Sequence, residues 1–311
     1  MKSLAQAVKD YLSLRRSLGF KLEKHEYLLR EFLAFLKQKR TNRISNQLAL
    51  EFATRNQHHR PAEWAVRLRV VRGFACYRIG EDPATQIPAL GLLPFRSLRA
   101  QPYLYSAKEI RKLLEAAQRM PATYTLKPWT YYCLFGLLVV TGLRVSEALN
   151  LQQGKDVDWS EGVLTIRGAK FGKSRLIPLH ASTLRVLSAY AKRRDRFFGN
   201  KPVSHFFVSS AGTRLNRSYV SRTFRQLSRQ IGLRAACATQ GPRLHDFRHR
   251  FAVQTLVRWY RQGKDVERRL PILSTYLGHV RVSDTYWYIT CTPELRGVVG
   301  QRMEKRWGGV L

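Results

Sequence analysis

The chain has 311 residues, enough for two domains that each bury a core. Lys and Arg number 55 against 21 Asp and Glu, a formal net charge of +34. Such a field argues against a basic partner and for a polyanion, nucleic acid first, although a ribosome-bound or membrane-surface protein would carry the same sum.

The excess is not confined to one tail. Residues 1–100 hold 19 basic and 8 acidic residues (19 − 8 = +11), and residues 101–311 hold 36 and 13 (36 − 13 = +23). The first residues, MKSLAQAVKDYLSLRR, lack the apolar stretch of a secretory signal. The longest apolar run, CLFGLLVV at 133–140, falls far short of the roughly 20 residues that span a bilayer. A soluble intracellular protein without membrane association is therefore expected. The cysteines Cys76, Cys133, Cys237 and Cys291 form no CxxC pair and read as reduced packing residues, with neither disulfides nor a zinc site.

The first hundred residues read as a helical bundle. Leu4, Val8, Tyr11 and Leu12 repeat at helical spacing, as do Leu29, Phe32, Leu33 and Leu36, and then Trp64, Leu68, Val71 and Ala75 behind Pro61 as a first-turn residue. Arg67, Arg69, Arg72 and Arg78 lie along this last helix. A solvated face is the plain reading of any one of them, and the total charge tilts the set toward phosphate contact. GEDPATQIPALGLLPFRSLRAQPYLY, with its prolines and glycines, reads as a linker. The domain boundary is placed near residue 100, giving domains of 1–100 and 101–311. Ser106 and Glu109 then form an SxxE capping box.

The second domain mixes element types, an α+β class that is predominantly helical. An apolar helix through YYCLFGLLVV ends at Gly142, and LRVSEALNL opens another with Arg144 in its first turn. VDWSEGVLTIRGAKFGKSRLIPL alternates around Gly-containing turns, which predicts a small antiparallel sheet with a hairpin tip at 168–172. GAKFGKS resembles a phosphate-binding loop, but three residues separate its glycines where GxxxxGK[ST] needs four, so nucleotide binding is not expected there. LNRSYVSRTFRQLSRQIGL predicts a helix with Arg222, Arg225 and Arg229 on a basic face and Phe224, Leu227 and Ile231 on an apolar one. In LHDFRHRFAVQTLV, His245 and Arg248 stand three apart on one helix side. His245 and His249 have the spacing of a metal pair, but no HExxH glutamate accompanies them, and no metal or other cofactor is expected.

Taken singly, each of these residues has an ordinary explanation. Arg144 could pair with Glu147, Lys170 could be a solvated turn residue, His245 could cap a helix, and His279 could follow a helix-ending glycine. In order, however, TGLRVSEALNL, GAKFGKSRLIPL, HDFRH and LGH with a tyrosine nine residues later resemble the tyrosine recombinase and phage integrase family. The resemblance covers the second domain. The helical first domain is a looser match to the family's core-binding domain, and together the two would clamp DNA.

The resemblance implies a site-specific recombinase of mobile-element type. A tyrosine attacks the scissile phosphate, displaces a 5′ hydroxyl and leaves a 3′ phosphotyrosine, with no ATP and no metal. Nine residues after His279 lies Tyr288, the implied nucleophile; Tyr286 is then a packing residue, about 200° away on a helix, and Tyr276 reads as core. Arg144 and Arg248 match the family's phosphate-binding arginines, His245 the base, His279 a phosphate ligand, and Lys170 the acid that protonates the leaving oxygen, with Lys173 as the alternative.

Further implications are double-stranded DNA with a recombination site of inverted repeats, a homo-oligomer that is tetrameric in the synapse, and other recombinases as potential partners. A bacterial, cytoplasmic and nucleoid-associated setting follows. Thr292 and Pro293 would start a terminal helix that members pass to a neighbouring subunit. DNA contacts are expected from Arg67, Arg69, Arg72, Lys173, Arg222, Arg225 and Arg229. The rival readings are a type IB topoisomerase and a non-catalytic DNA-binding relative.

Overall fold

The computed structural model describes the chain apart from residues 1, 94–100, 122–124, 169–173, 200, 239, 291–294, 296, 298, 302–303, 305–307 and 309–311, and apart from the side chain of residue 290. It divides into two compact units, Met1–Ala100 and Gln101–Leu311. The described residues are mainly helical, with one small sheet.

In the N-terminal unit α1 (Leu4–Ser17), α2 (Glu23–Gln38), α3 (Asn46–Thr54) and α4 (Pro61–Arg78) pack around one core. Hydroxyl caps start two of them: Ser3 accepts from the Gln6 N–H and Ser45 from the Leu48 N–H, each at 3.2 Å. Val8, Leu29, Phe32, Phe52, Val71 and Phe74 fill the interior. α3 is absent from the periodicities above; of its nine residues Ala49, Phe52 and Ala53 are buried and Leu48 packs against the same core, too short a run to show a repeat.

The first part of the expected linker is packed structure. Asp82 and Thr85 are buried, Gln86 N–H donates to the Ile44 carbonyl at 2.8 Å, and Ile87 and Leu93 lie against the core. Satisfied backbone groups, more than Pro and Gly content, decide whether such a stretch is a tether.

The C-terminal unit opens with α5 (Ala107–Gln118), where Ser106 and Glu109 form the reciprocal capping box. α6 (Lys127–Thr141) is buried on most sides and leads to the short α7 (Val145–Leu149). β1 (Val157–Asp158), β2 (Val163–Ile166) and β3 (Arg175–Pro178) form an antiparallel sheet in that order, with Leu164 opposite both Val157 and Ile177. Leu164, Ile166 and Ile177 face the core. The hairpin tip bearing Lys170 and Lys173 lies outside the described residues. α8 (Ala181–Phe198), α9 (Arg217–Gln230), α10 (Asp246–Arg261), α11 (Val266–Leu277) and α12 (Ser283–Thr290) complete the unit. Thr292, Pro293 and most of the expected terminal helix also lie outside the described residues; Leu295 is buried in the cluster that α10, α11 and α12 form.

Two helix ends seat the site. α6 ends on Gly142 at φ +62° and α11 on Gly278 at φ +66°. Left-handed glycine caps turn the chain sharply and leave the last carbonyls of each helix as acceptors. A Cβ at Gly142 would stand 2.7 Å from the Phe251 ring, and one at Gly278 would stand 2.9 Å from Arg175 Nη1.

Of the cysteines, Cys133 is buried, whereas Cys76 and Cys237 are exposed and so do not pack as expected; Cys291 lies outside the described residues. Beside Cys76, Phe74 and Ala75 face inward and the helical turn leaves the thiol outside, whereas Ala235 and Ala236 beside Cys237 are exposed with it. No helix among the described residues is long and apolar enough to cross a membrane.

Candidate active site

Three guanidiniums meet at the C-terminal end of α11. Arg175 Nε donates to the Tyr276 carbonyl at 2.7 Å, Arg248 Nη2 to the Leu277 carbonyl, and Arg144 Nη2 to the Gly278 carbonyl at 2.8 Å. Arg248 Nη1 also reaches the Gly142 carbonyl, 3.1 Å away at the end of α6. The last carbonyls of a helix lack intrahelical partners and carry the negative end of its dipole, so cations settle there. Backbone carbonyls hold a guanidinium in place without neutralising it.

One buried carboxylate joins the group. Glu147 Oε1 accepts from Arg144 Nη1 at 2.8 Å and Arg175 Nη1 at 3.1 Å, while Oε2 accepts from the Arg144 N–H at 2.9 Å and Arg175 Nη2 at 2.8 Å. Burial alone would raise the Glu147 pKa; the bonds and charges of Arg175 and Arg144 outweigh it and hold the group below its usual value. Arg248 is displaced the other way. Burial and then the nearby Arg144 charge lower it to about 10, so it stays a cation at neutral pH.

His245 begins α10, one turn from Arg248. The residue is exposed in part, yet the protein packed around it, followed by the Arg248 charge, lowers its pKa to about 4, against an opposing contribution from Asp246. It is a neutral imidazole at pH 7, able to accept a proton. His279 Nδ1 lies 2.8 Å from the hydroxyl of buried Thr285, which fixes the ring.

α12 sets the two tyrosines of YWY in different surroundings. Tyr288 is 2 % exposed and Tyr286 is 50 % exposed. The expected packing role of Tyr286 is thus incorrect: the helical twist that separates the pair turns Tyr286 outward and Tyr288 inward. The Tyr288 ring lies parallel to His279 with centroids 6.1 Å apart and tilted against His249 at 5.5 Å. His249 in turn meets the His245 ring edge to face at 4.7 Å. Tyr276 is half-buried and stacks on Phe251, and burial pushes its phenol up to about 12.

Five of the six residues singled out for chemistry therefore share one neighbourhood: Arg144, His245, Arg248, His279 and Tyr288. The sixth, Lys170, lies outside the described residues, as does Lys173. Glu147, Arg175, Thr285 and His249 were not assigned to this site from sequence. A glutamate three residues after Arg144 was the available signal for the first. Arg144 and His245 also line a cavity of about 350 Å³ together with Arg217, Arg225, Arg234 and Arg243. No trio of His, Cys, Asp or Glu among the described residues could hold a metal ion.

Of the expected DNA contacts, Arg69, Arg222, Arg225 and Arg229 are exposed. Arg67 is not. It is 5 % exposed, bonds Glu31 at 2.8 Å and lies over the Phe52 ring at 4.1 Å, so its guanidinium is engaged inside the N-terminal unit. Arg72 is half-buried and donates to the Pro88 carbonyl at 2.6 Å.

Residues 104–294 match the model of the phage integrase family. The chain belongs to this family. The protein y4rB of Sinorhizobium fredii, named as an integrase/recombinase, is 55% identical over 99% of both chains. The tyrosine recombinase XerD of Caulobacter vibrioides is 30% identical over 73% of this chain and 70% of that protein. Among solved structures, the Tn1549 transposon integrase with transposon right end DNA shares the fold at a TM-score of 0.65 and 16% identity, covering 98% of this chain and 99% of that one. A lambda integrase dimer on a core site shares it at 0.62 and 19%, covering 92% and 95%. Site-specific recombination by a tyrosine-type DNA strand transferase is the function that goes with membership of the phage integrase family.

Proposed function

We propose that this phage integrase family member cleaves and rejoins a specific double-stranded DNA site of a mobile element through Tyr288. The Tyr288 oxygen attacks the scissile phosphorus, its proton passes toward His245, and the P–O bond to the 5′ oxygen breaks. That oxygen leaves as a hydroxyl with a proton from Lys170, or from Lys173. Attack by a second 5′ hydroxyl on the 3′ phosphotyrosine reverses the step and joins new strands, and because one phosphodiester replaces another, no nucleotide is consumed.

Arg144 and Arg248 face the charge that grows on the non-bridging oxygens, and His279 donates to the same phosphate. The observation that carries this reading is the inward Tyr288 side chain beside His279, at the helix end where Arg144 and Arg248 converge. Oligomeric assembly on inverted repeats, tetrameric at synapsis, belongs to the same proposal.

A duplex from the DNA flanking the gene, nicked next to the cleavage point, traps the covalent intermediate. Wild-type protein is expected to form the adduct, and Tyr288→Phe to bind equally and form none. Adduct formation by the Phe variant would remove Tyr288 from the role. Relaxation of any supercoiled plasmid, whatever its sequence, would point to a topoisomerase instead.

A further inference from the structure

Arg175 is the third guanidinium at the α11 end, and no role in the chemistry has been given to it. It stands on the first residue of β3 and its side chain is 9 % exposed. Both of its terminal nitrogens go to Glu147, one to each oxygen, and its Nε goes to the Tyr276 carbonyl. This end-on double contact is the strongest geometry open to a guanidinium and a carboxylate.

Arg144 competes for the same carboxylate. It comes from the N-terminal side of α7; its backbone N–H bonds Oε2, and its guanidinium reaches Glu147 with Nη1 only, while Nη2 stays on the Gly278 carbonyl. Were Arg175 missing, Glu147 would be a buried anion with one neighbouring cation, and the favoured arrangement would be the double contact with Arg144 itself. The Arg144 fork would then be drawn toward Glu147 and away from the cavity it lines. The α11 end would also lose a donor next to the residues that lead into His279.

We propose that Arg175 is a positioning residue: by occupying both oxygens of Glu147 and the Tyr276 carbonyl, it limits the Arg144 guanidinium to its single Nη1 contact with that carboxylate, so that this guanidinium stays turned toward the scissile phosphate. The inference rests on the function proposed above. Gly278 fits it, because a methyl group there would press on Arg175 and Arg144 together.

The test is a rescue. Single-turnover adduct formation on the nicked duplex is measured for wild type, Arg175→Ala, Glu147→Gln and the double variant, with DNA affinity and thermal melting followed in parallel. Arg175→Ala is expected to slow cleavage roughly 100-fold, the scale of a small misplacement of a reacting group, with little change in affinity. Glu147→Gln in the same chain removes the competing charge and is expected to recover about tenfold of that loss, whatever it does to melting. A purely structural Arg175 would predict a double variant no faster than Arg175→Ala.

Should Arg175→Ala fail to fold, Arg175→Gln replaces it in both arms; the amide can still meet a carbonyl but cannot neutralise Glu147, so slowing and rescue are expected again. A wild-type cleavage rate in Arg175→Ala, or no rescue in the double variant, would overturn the proposal. Absence of an adduct from the wild-type protein would instead overturn the function on which it rests.

Discussion

Both units bury arginines, and they do so in opposite ways. In the N-terminal unit Arg67 ends on Glu31, and Arg78 ends on Glu81 at 2.7 Å with Asp82 at 3.9 Å. Each buried cation has a carboxylate to answer it. At the α11 end Arg144, Arg175 and Arg248 share the single carboxylate of Glu147, and the balance of these four groups is +2 (3 − 1). Carbonyls at the ends of α6 and α11 supply the remaining acceptors. A guanidinium held by neutral dipoles keeps its charge for a visitor, whereas one held by a carboxylate is already neutralised. The distinction is local: Arg194, elsewhere in the C-terminal unit, is fully buried yet paired with Asp195 at 2.7 Å, as the N-terminal arginines are paired.

The largest effect that could break this contrast is on the rate of cleavage. Arg144→Ala is expected to remove roughly 3 kcal/mol or more of transition-state stabilisation, a loss of 100-fold or more, with DNA binding retained. Arg248→Lys should fail comparably, because an ammonium cannot span the Leu277 and Gly142 carbonyls and still present a fork to a phosphate. Adduct assays on the nicked duplex measure both. If either variant lost stability and kept its rate, the arginines of the two units would be of one kind.

A smaller effect is expected at Arg67, and in a different quantity. Arg67→Ala removes a charged hydrogen bond and a ring contact, so the full-length protein should lose about 2 kcal/mol of stability in the transition that unfolds the N-terminal unit. Melting and DNA affinity, measured on one preparation, separate the cases. Weakened DNA binding without a change in melting would make Arg67 a phosphate contact after all.

That pair of arginines also marks how far the sequence could be read. Arg67, Arg69, Arg72 and Arg78 look alike along α4, and only the positions of Glu31 and Phe52, contributed by α2 and α3, decide that Arg67 turns inward while Arg69 stays exposed. Such partners are set by packing between helices, which periodicity within one helix does not encode. The Arg175–Glu147 contact spans 28 residues for the same reason. Local rules did better: the Ser106–Glu109 box, the alternation that builds β2 and β3, and the helix-ending glycines at 142 and 278 each depend on a few adjacent residues. The twist of α12 lies between the two cases. It required Tyr286 and Tyr288 to face apart, but which of them faced the core depended on where α10 and α11 lay.

The surplus charge should also be visible without any cleavage, through His245. Its imidazole is depressed to about 4, chiefly by burial and then by Arg248, with Arg243 and Arg144 adding in the same direction. The folded protein therefore binds this proton less readily than the unfolded chain, whose histidine titrates near pH 6.5. Folding stability contributed here is intact above pH 6.5 and falls as the pH drops toward 4, the reverse of a histidine that gains a carboxylate partner. Titration of the His245 ring by NMR in the free protein should give a midpoint well below 6.5, moving upward in Arg144→Ala as one nearby cation is lost. Bound duplex should move it upward further, because a scissile phosphate adds the negative charge that this helix end lacks. A midpoint near 6.5 in the free protein, unmoved by either change, would mean that the arginines around α11 are neutralised as fully as those of the N-terminal unit.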